Sequence, residues 1–472
     1  MAPRDGCGKP RSPDKPITAR ELAQFALGMR LEDVPAAVRE RARLLILDGV
    51  GVALAARSHP FAPRVLAGAM ALGGEGSGTV IGQKQRLPLR DAAMVNGALL
   101  HGLDFDDTHL AAIIHPTAAS LPTAFGVGEA MLASGADMLA AYIVGMECAI
   151  RIGLAVRGGF HRVGFHATAL IAHFASALAA GRLLSLDLDG LVCAQGIAAS
   201  TAGGVQVFLE EGAWTKRLHP GWWAVGGITG AMLAKHGFFG PSRAYEGRFG
   251  LFETHLQEYA GEVDFDRITA QLGTVWELYD TSIKPYPICH FLHGAAEAAL
   301  RLHGQLRPTS ASVAQIRVRI PRETLPIVAE PEEVKINPAN DYDAKFSAQY
   351  VVATCLLKGR MGLAELSKEA RDDPQVRALA RRIVVEADQH SAYPRHMSGG
   401  VDLTTTDGGC CSAYVPVNSG SGERALDADA IADKFFASAE LSMPPAKAAR
   451  VREAILSLEA ISLAELAAAL RG

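Results

Sequence analysis

Apolar residues return every three to four positions through most of the first 280 residues, and that spacing predicts a succession of helices. The first begins at Ile17-Thr18-Ala19-Arg20-Glu21-Leu22, where Thr18 and Glu21 have the spacing of a capping box and Ile17 with Leu22 that of a hydrophobic staple. A second opens at Asp33-Val34-Pro35 and carries Val38, Ala42, Leu45 and Ile46 on one face. Helical patterns recur around 60–72, 90–102, 117–133, 137–157, 166–183, 187–203, 222–236 and 290–303. Alanine and glycine are abundant in them, so the helices can approach one another closely.

Past about residue 280 the period shortens to two. Gln315-Ile316-Arg317-Val318-Arg319-Ile320 alternates, as do parts of 382–387 and 401–405, and Asp407-Gly408-Gly409 is a hairpin-type turn into a fourth strand at 411–417. Helical stretches at 343–358 and about 363–370 lie between these strands, and three more follow at 428–438, 444–457 and 461–471. Asn418-Ser419-Gly420-Ser421-Gly422 reads as a flexible loop. The pattern predicts a mainly α protein: a disordered tail at 1–16, a helical domain at 17–280, a smaller α+β domain at 281–420, and helices at 421–472 returning to the helical domain.

Composition narrows the partners. The chain has 472 residues, with 46 basic and 50 acidic side chains mixed along it, so there is no basic stripe for nucleic acid or an anionic membrane. The apolar run 137–157 approaches membrane length but contains Asp137, Glu147 and Arg151, which suits a buried helix better. Seven scattered cysteines without a CxxC pair argue for free thiols in a reducing, cytoplasmic setting and against zinc or an iron–sulfur cluster. A small molecule is the expected partner.

The densest polar cluster is His101-Gly102-Leu103-Asp104-Phe105-Asp106-Asp107-Thr108-His109, followed by His115-Pro116-Thr117. If 98–108 is helical, Asp104, Asp107 and Thr108 share one face, with His101 a turn earlier. A metal site, a capping or salt-bridge network, and a catalytic site are all open readings of this segment alone. His115 precedes Pro116 and an apolar run, and Gly164-Phe165-His166-Ala167-Thr168 repeats the arrangement, so each histidine is expected at a helix N-terminus. There the helix dipole favours a bound anion and disfavours a protonated ring, which suits proton transfer beside a carboxylate. Lys216, in Thr215-Lys216-Arg217-Leu218-His219-Pro220, can hold a carboxylate or act as a base, or simply sit at the surface. Lys284-Pro285-Tyr286-Pro287-Ile288-Cys289-His290, with His293 beyond, places a lysine and two histidines around rigid turns at the domain boundary, where ligand sites are common. The glycines of 73–78 lack dinucleotide spacing, and no GxSxG elbow or P-loop is present.

Taken in order, DFDDTH–HPT, GFHAT, TKRLHPG, KPYPICHFLHGAAEA and FSAQYVVATCLL resemble the MmgE/PrpD family over residues 17–440. The resemblance implies a large all-helical domain discontinuous in sequence, an α+β lid domain, a homodimer, and neither metal nor organic cofactor. Among the activities it implies are dehydration of 2-methylcitrate, decarboxylation of cis-aconitate and epimerisation of iminodisuccinate. Carried over by motif, the site residues are Asp104, Thr108, His115, His166, Lys216, Lys284 and Tyr350, with His219, His290 and His293 as further substrate contacts. Two departures stand out: Cys289 sits where decarboxylase-like members have histidine, and GFHAT replaces GWHPT. The expected function is a dehydratase of a hydroxy-polycarboxylate such as 2-methylcitrate. Lys216 and Lys284 would bind carboxylates, His115 or His166 would move protons, Asp104 would orient a histidine, and Thr108 and Tyr350 would hydrogen-bond the substrate. An epimerase, a decarboxylase and a non-catalytic carboxylate-binding protein are the alternatives.

Overall fold

The computed structural model describes residues 17–472; the expected tail at 1–16 lies outside the described residues. The fold is mainly α, 61% helical, with one sheet of two strands and one of four.

One compact unit comprises the described residues up to Gln206, Trp214–Thr281 and Ala428–Gly472. Its middle is the Ala167–Leu183 helix, whose small side chains are almost all buried and which packs against helices Pro116–Ala130, Gly135–Val156 and Thr215–Lys235. Gly135–Val156 is long and apolar enough to cross a membrane, yet 94% of its most apolar window is buried inside this unit. A short hairpin, β1 (Gly78–Thr79) and β2 (Arg86–Leu87), precedes the Leu89–His101 helix. That helix crosses Thr215–Lys235 backbone to backbone. A Cβ on Gly97 would meet the Gly221 nitrogen at 2.5 Å, and one on Gly221 would meet the Met94 carbonyl at 2.0 Å. Only glycine fits both positions, and the crossing brings the start of the Thr215–Lys235 helix beside the loop that leaves His101.

Two local expectations for this unit fail. Thr18 is the first helical residue rather than the cap; Ile17 occupies the cap position without a side-chain bond, and Glu246 Oε1 accepts from the Thr18 amide at 2.6 Å instead. A carboxylate distant in sequence thus replaces the capping box. The helix expected at 222–236 begins at Thr215, with Pro220 inside it. Proline there removes one bond to the carbonyl four residues back, but packing against four neighbouring helices sustains the turn.

The second unit comprises Val207–Ala213 and Ser282–Asp427. Strands β3 (Val313–Ile320), β4 (Ile383–Ala387), β5 (Gly399–Thr405) and β6 (Cys410–Val415) form a sheet of order β4-β3-β5-β6. β3 pairs parallel with β4 and antiparallel with β5, and β5 pairs antiparallel with β6 across the expected hairpin turn. Val313, Ile316, Val318 and Ile320 are buried in a core shared with helices His293–Leu306 and Ala348–Lys358. The helix expected over 343–358 is two, Asp341–Lys345 and Ala348–Lys358, because Ser347 leaves the helical conformation to cap the second through the Tyr350 amide. Nor is 418–422 a loose loop. Asn418 and Ser421 are buried, Ser421 Oγ donates to Asn418, and the Gly420 carbonyl accepts from Ile283.

Candidate active site

His101 ends the Leu89–His101 helix, and residues 102–115 form a turn-rich loop, not the helix that would have aligned Asp104, Asp107 and Thr108. Asp104 adopts φ 51°, a left-handed conformation that aspartate tolerates better than most residues and that ends any helical continuation. The three acids consequently point to different partners.

Asp104 Oδ1 lies 2.5 Å from Lys216 Nζ, with both side chains under a tenth exposed. Asp106 Oδ2 accepts from His101 Nδ1 at 2.7 Å and lies 3.3 Å from His115 Nδ1. Asp107 turns inward: its carboxylate meets the hydroxyl and amide of Thr117, whose Oγ1 is 2.6 Å from the Tyr142 hydroxyl. Lys434, on the helix Ala428–Ala439, clamps the loop. Its Nζ donates to the Phe105 carbonyl at 2.9 Å, sits 3.9 Å from the centre of the Phe105 ring, and pairs with buried Asp48 at 2.6 Å.

His115 and His166 each occupy the N-cap position of a helix, Pro116–Ala130 and Ala167–Leu183, and neither side chain caps it. Both rings are therefore turned to other work. The His115 amide donates to Thr168 Oγ1, and its Nδ1 donates to the Asp107 carbonyl at 2.9 Å. The His166 amide donates to the Gly204 carbonyl, and its Nδ1 lies 3.2 Å from His219 Nδ1. His219 and Trp223, one turn apart on the Thr215–Lys235 helix, flank the His166 ring at 5.4 and 5.6 Å. His101 stacks on His166 at 5.7 Å and meets His115 edge-on at 4.5 Å. Thr108 is buried in the same loop, and its hydroxyl has no hydrogen-bond partner among the described residues.

The first unit thus gathers Asp104, His115, His166, Lys216 and His219 into one polar nest, and Thr108 lies buried in the same unit. Lys284, His290, His293 and Tyr350 belong to the second unit. There Lys284 is buried; Asn418 Nδ2 donates to His290 Nε2 at 2.9 Å; His290 stacks on His293 at 4.4 Å. The Tyr350 hydroxyl donates to the Glu365 carbonyl at 2.5 Å, which commits its proton to the core of that unit.

Burial, followed by the charge of Lys216, holds His166 well below the usual histidine range. Burial likewise brings His101 down to about 4 despite the opposing pull of Asp106. These rings are neutral near pH 7 and able to accept a proton. Burial pushes Asp106 up, but His101 and His115 outweigh it and keep it ionised. Asp107 goes the other way: burial, reinforced by Asp106 and Asp48, raises it to about 8. For a cation, His101, His115 and His166 offer nitrogens within 4.8 Å of one another, and Asp104, Asp106 and His115 form a second set. The Lys216 ammonium already on Asp104 opposes a second positive charge there. The six cysteines among the described residues are free.

The buried titrating groups set a pH optimum for stability. Burial brings His101, His109 and His173 all down to about 4, so the stability they allow is complete above the unfolded value near 6.5 and is lost as pH falls toward 4. Burial raises Asp107 to about 8 and Glu147 to about 7, so their contribution is complete below the unfolded carboxylate value and is lost as pH rises through 7–8. Burial also lowers His161 to about 4, His219 to about 3 and His166 further, so six histidines against two carboxyls leave a net loss on the acid side, and the two carboxyls act alone on the alkaline side. Urea unfolding should be hardest near pH 6.5, with about 2–3 kcal/mol lost by pH 8.5 and a larger loss by pH 5. Asp107→Asn should flatten the alkaline arm.

Reading the sequence alone passed over Asp106, His101 and Lys434 as functional residues. The available signal was Gly102, a poor helix former that takes the C-cap position two residues before the left-handed turn at Asp104.

With this geometry in place, comparison with known proteins is informative. The chain matches the family model of the MmgE/PrpD N-terminal domain over residues 20–262 and that of the C-terminal domain over residues 286–460. It is 28% identical to a cis-aconitate decarboxylase-like protein of Aspergillus oryzae, over 98% of both chains. It is 30% identical to a cis-aconitate decarboxylase of Aspergillus terreus over 77% of both, and 26% identical to a 2-methylcitrate dehydratase of Cupriavidus necator over 78% of both.

Proposed function

The chain belongs to the MmgE/PrpD family, and from that premise we propose that it is a lyase that breaks a bond next to a carboxylate of a di- or tricarboxylic acid, using its own side chains. The bond we favour is the C–O bond of a hydroxy-polycarboxylate of the 2-methylcitrate kind. One imidazole removes the proton from the carbon beside the carboxylate. Lys216 stabilises the negative charge that develops there, the hydroxyl on the adjacent carbon leaves, and the proton taken from carbon, passed across the nest to a second imidazole, is delivered to it as water. The products are an unsaturated acid and water, and the enzyme ends with the same number of protons.

The observation that carries this reading is the spacing of two imidazole rings about a buried cation. The His115 and His166 ring centres are 6.2 Å apart, room for the C–H and C–OH of adjacent carbons to lie between them, and both belong to the nest that contains the Lys216–Asp104 pair. Decarboxylation needs one protonation and no second acid. It is kept as the second reading because the relatives at 28–30% identity carry that name. An epimerase, or a protein that binds the acid without turning it over, would use fewer of these groups. A homodimer in the cytoplasm completes the proposal; Trp222, Phe238, Phe239 and Phe249 offer large exposed apolar side chains on the first unit.

Product analysis separates the readings. With a panel of hydroxy- and unsaturated tricarboxylates in D₂O, the proposal expects an unsaturated acid from a hydroxy-acid without release of CO₂. Release of CO₂ from the unsaturated acid selects decarboxylation. Deuterium in recovered substrate with no new double bond selects epimerisation, and binding without turnover removes the enzymatic reading.

A further inference from the structure

The nest contains one carboxylate whose geometry exceeds what holding the loop requires. Asp106 is 1% exposed and its Oδ2 faces two imidazoles at once, His101 Nδ1 at 2.7 Å and His115 Nδ1 at 3.3 Å. His115 Nδ1 also lies 2.9 Å from the Asp107 carbonyl. An ionised carboxylate and a backbone carbonyl can only accept hydrogen bonds, so each of those Nδ1 atoms must carry a proton. A neutral ring with its proton on Nδ1 has its lone pair on Nε2. His101 Nε2 is buried, and no described residue supplies it with a hydrogen bond. A bare acceptor nitrogen therefore sits in a ring stacked on His166 and edge-on to His115.

We propose that Asp106 is a positioning residue that locks His101, and together with the Asp107 carbonyl His115, in the Nδ1–H tautomer, so that both present Nε2 as the proton-accepting atom. The inference rests on the acid–base reading of this nest and adds to it the atom that performs the transfer. An imidazole in water favours the opposite tautomer, with the proton on Nε2, so the lock has a consequence: without it the accepting lone pair points at the loop instead of into the nest. The carboxylate also stabilises the imidazolium formed when Nε2 takes its proton. Asparagine at 106 has nearly the same shape but can donate as well as accept, and it carries no charge.

The test uses the full chain labelled with ¹⁵N-histidine. In wild type, the ring-nitrogen shifts and two-bond couplings should show Nδ1–H for His101 and His115, each assigned by loss of its signal in His101→Gln or His115→Gln. In Asp106→Asn the Nε2–H form should grow in at His101, while the Asp107 carbonyl still holds the proton on His115 Nδ1, and kcat should fall about 10²–10⁴-fold with KM within about threefold. Asp106→Glu, which restores a carboxylate, should recover part of the kcat. Nε2–H at either ring in wild type overturns the proposal, as does an Asp106→Asn enzyme with unchanged tautomers or with kcat within about threefold of wild type. If Asp106→Asn does not fold, the wild-type spectrum alone decides. The spectrum needs no turnover, so finding no reactive polycarboxylate would end the lyase reading while leaving the tautomer lock to stand or fall on its own.

Discussion

Replacing Lys216 by methionine should lower kcat/KM by at least about 10²–10³-fold and destabilise the fold by about 3–5 kcal/mol, whereas adding Asp104→Leu should restore stability and not activity. The ion pair is buried on both sides, with Nζ and Oδ1 2.5 Å apart. Removing the cation leaves a carboxylate in a site without solvent to replace the lost partner, the costly way to break a buried pair. Replacing both groups by apolar side chains of similar volume removes the stranded charge, so urea unfolding of the double variant should return toward wild type. Activity should not return, because the charge developing beside the substrate carboxylate would have lost its counter-charge. A Lys216→Met enzyme with wild-type kcat/KM would show that this ammonium merely neutralises Asp104.

His166→Ala should lower kcat about 10²–10⁴-fold with little change in KM. The ring serves no capping role in the helix it begins, and it lies between His101, His219 and Trp223. Burial and Lys216 keep it neutral, so it is ready to accept a proton and, once charged, is disfavoured enough to give it up. His115→Ala should cost a comparable factor, and the double variant little more than either single one, since two groups that serve one proton inventory are not additive. Steady-state kinetics on the three variants checks this. Full activity in both single variants would remove the acid–base assignment.

Much of this architecture can be read from the sequence wherever a long periodic run meets its own boundary signals. The helices at Leu89–His101, Gly135–Val156 and Ala167–Leu183 begin and end within two residues of where the pattern places them, and β3 shows its alternation directly in which residues are buried. Thr18 and Pro220 mislead for one reason: a partner far along the chain decides the local outcome. Glu246 supplies the cap that Thr18 has the spacing to provide, and four neighbouring helices sustain the turn that Pro220 weakens. In the site, His115 and His166 are legible because a residue before proline or after a glycine turn falls at a helix start whatever surrounds it. The division of labour among Asp104, Asp106 and Asp107 is not legible. It depends on the left-handed turn at Asp104, which sends each successive carboxylate in its own direction, and on Lys434, which reaches the loop from more than 300 residues away.

The most direct measurement is a crystal structure of the chain grown with citrate. A carboxylate oxygen should lie within about 3 Å of Lys216 Nζ, and a second polar atom of the ligand within hydrogen-bond reach of the His115 or His166 ring. Citrate bound elsewhere, with Lys216 still closed on Asp104 and the imidazoles untouched, would contradict the roles assigned to these groups.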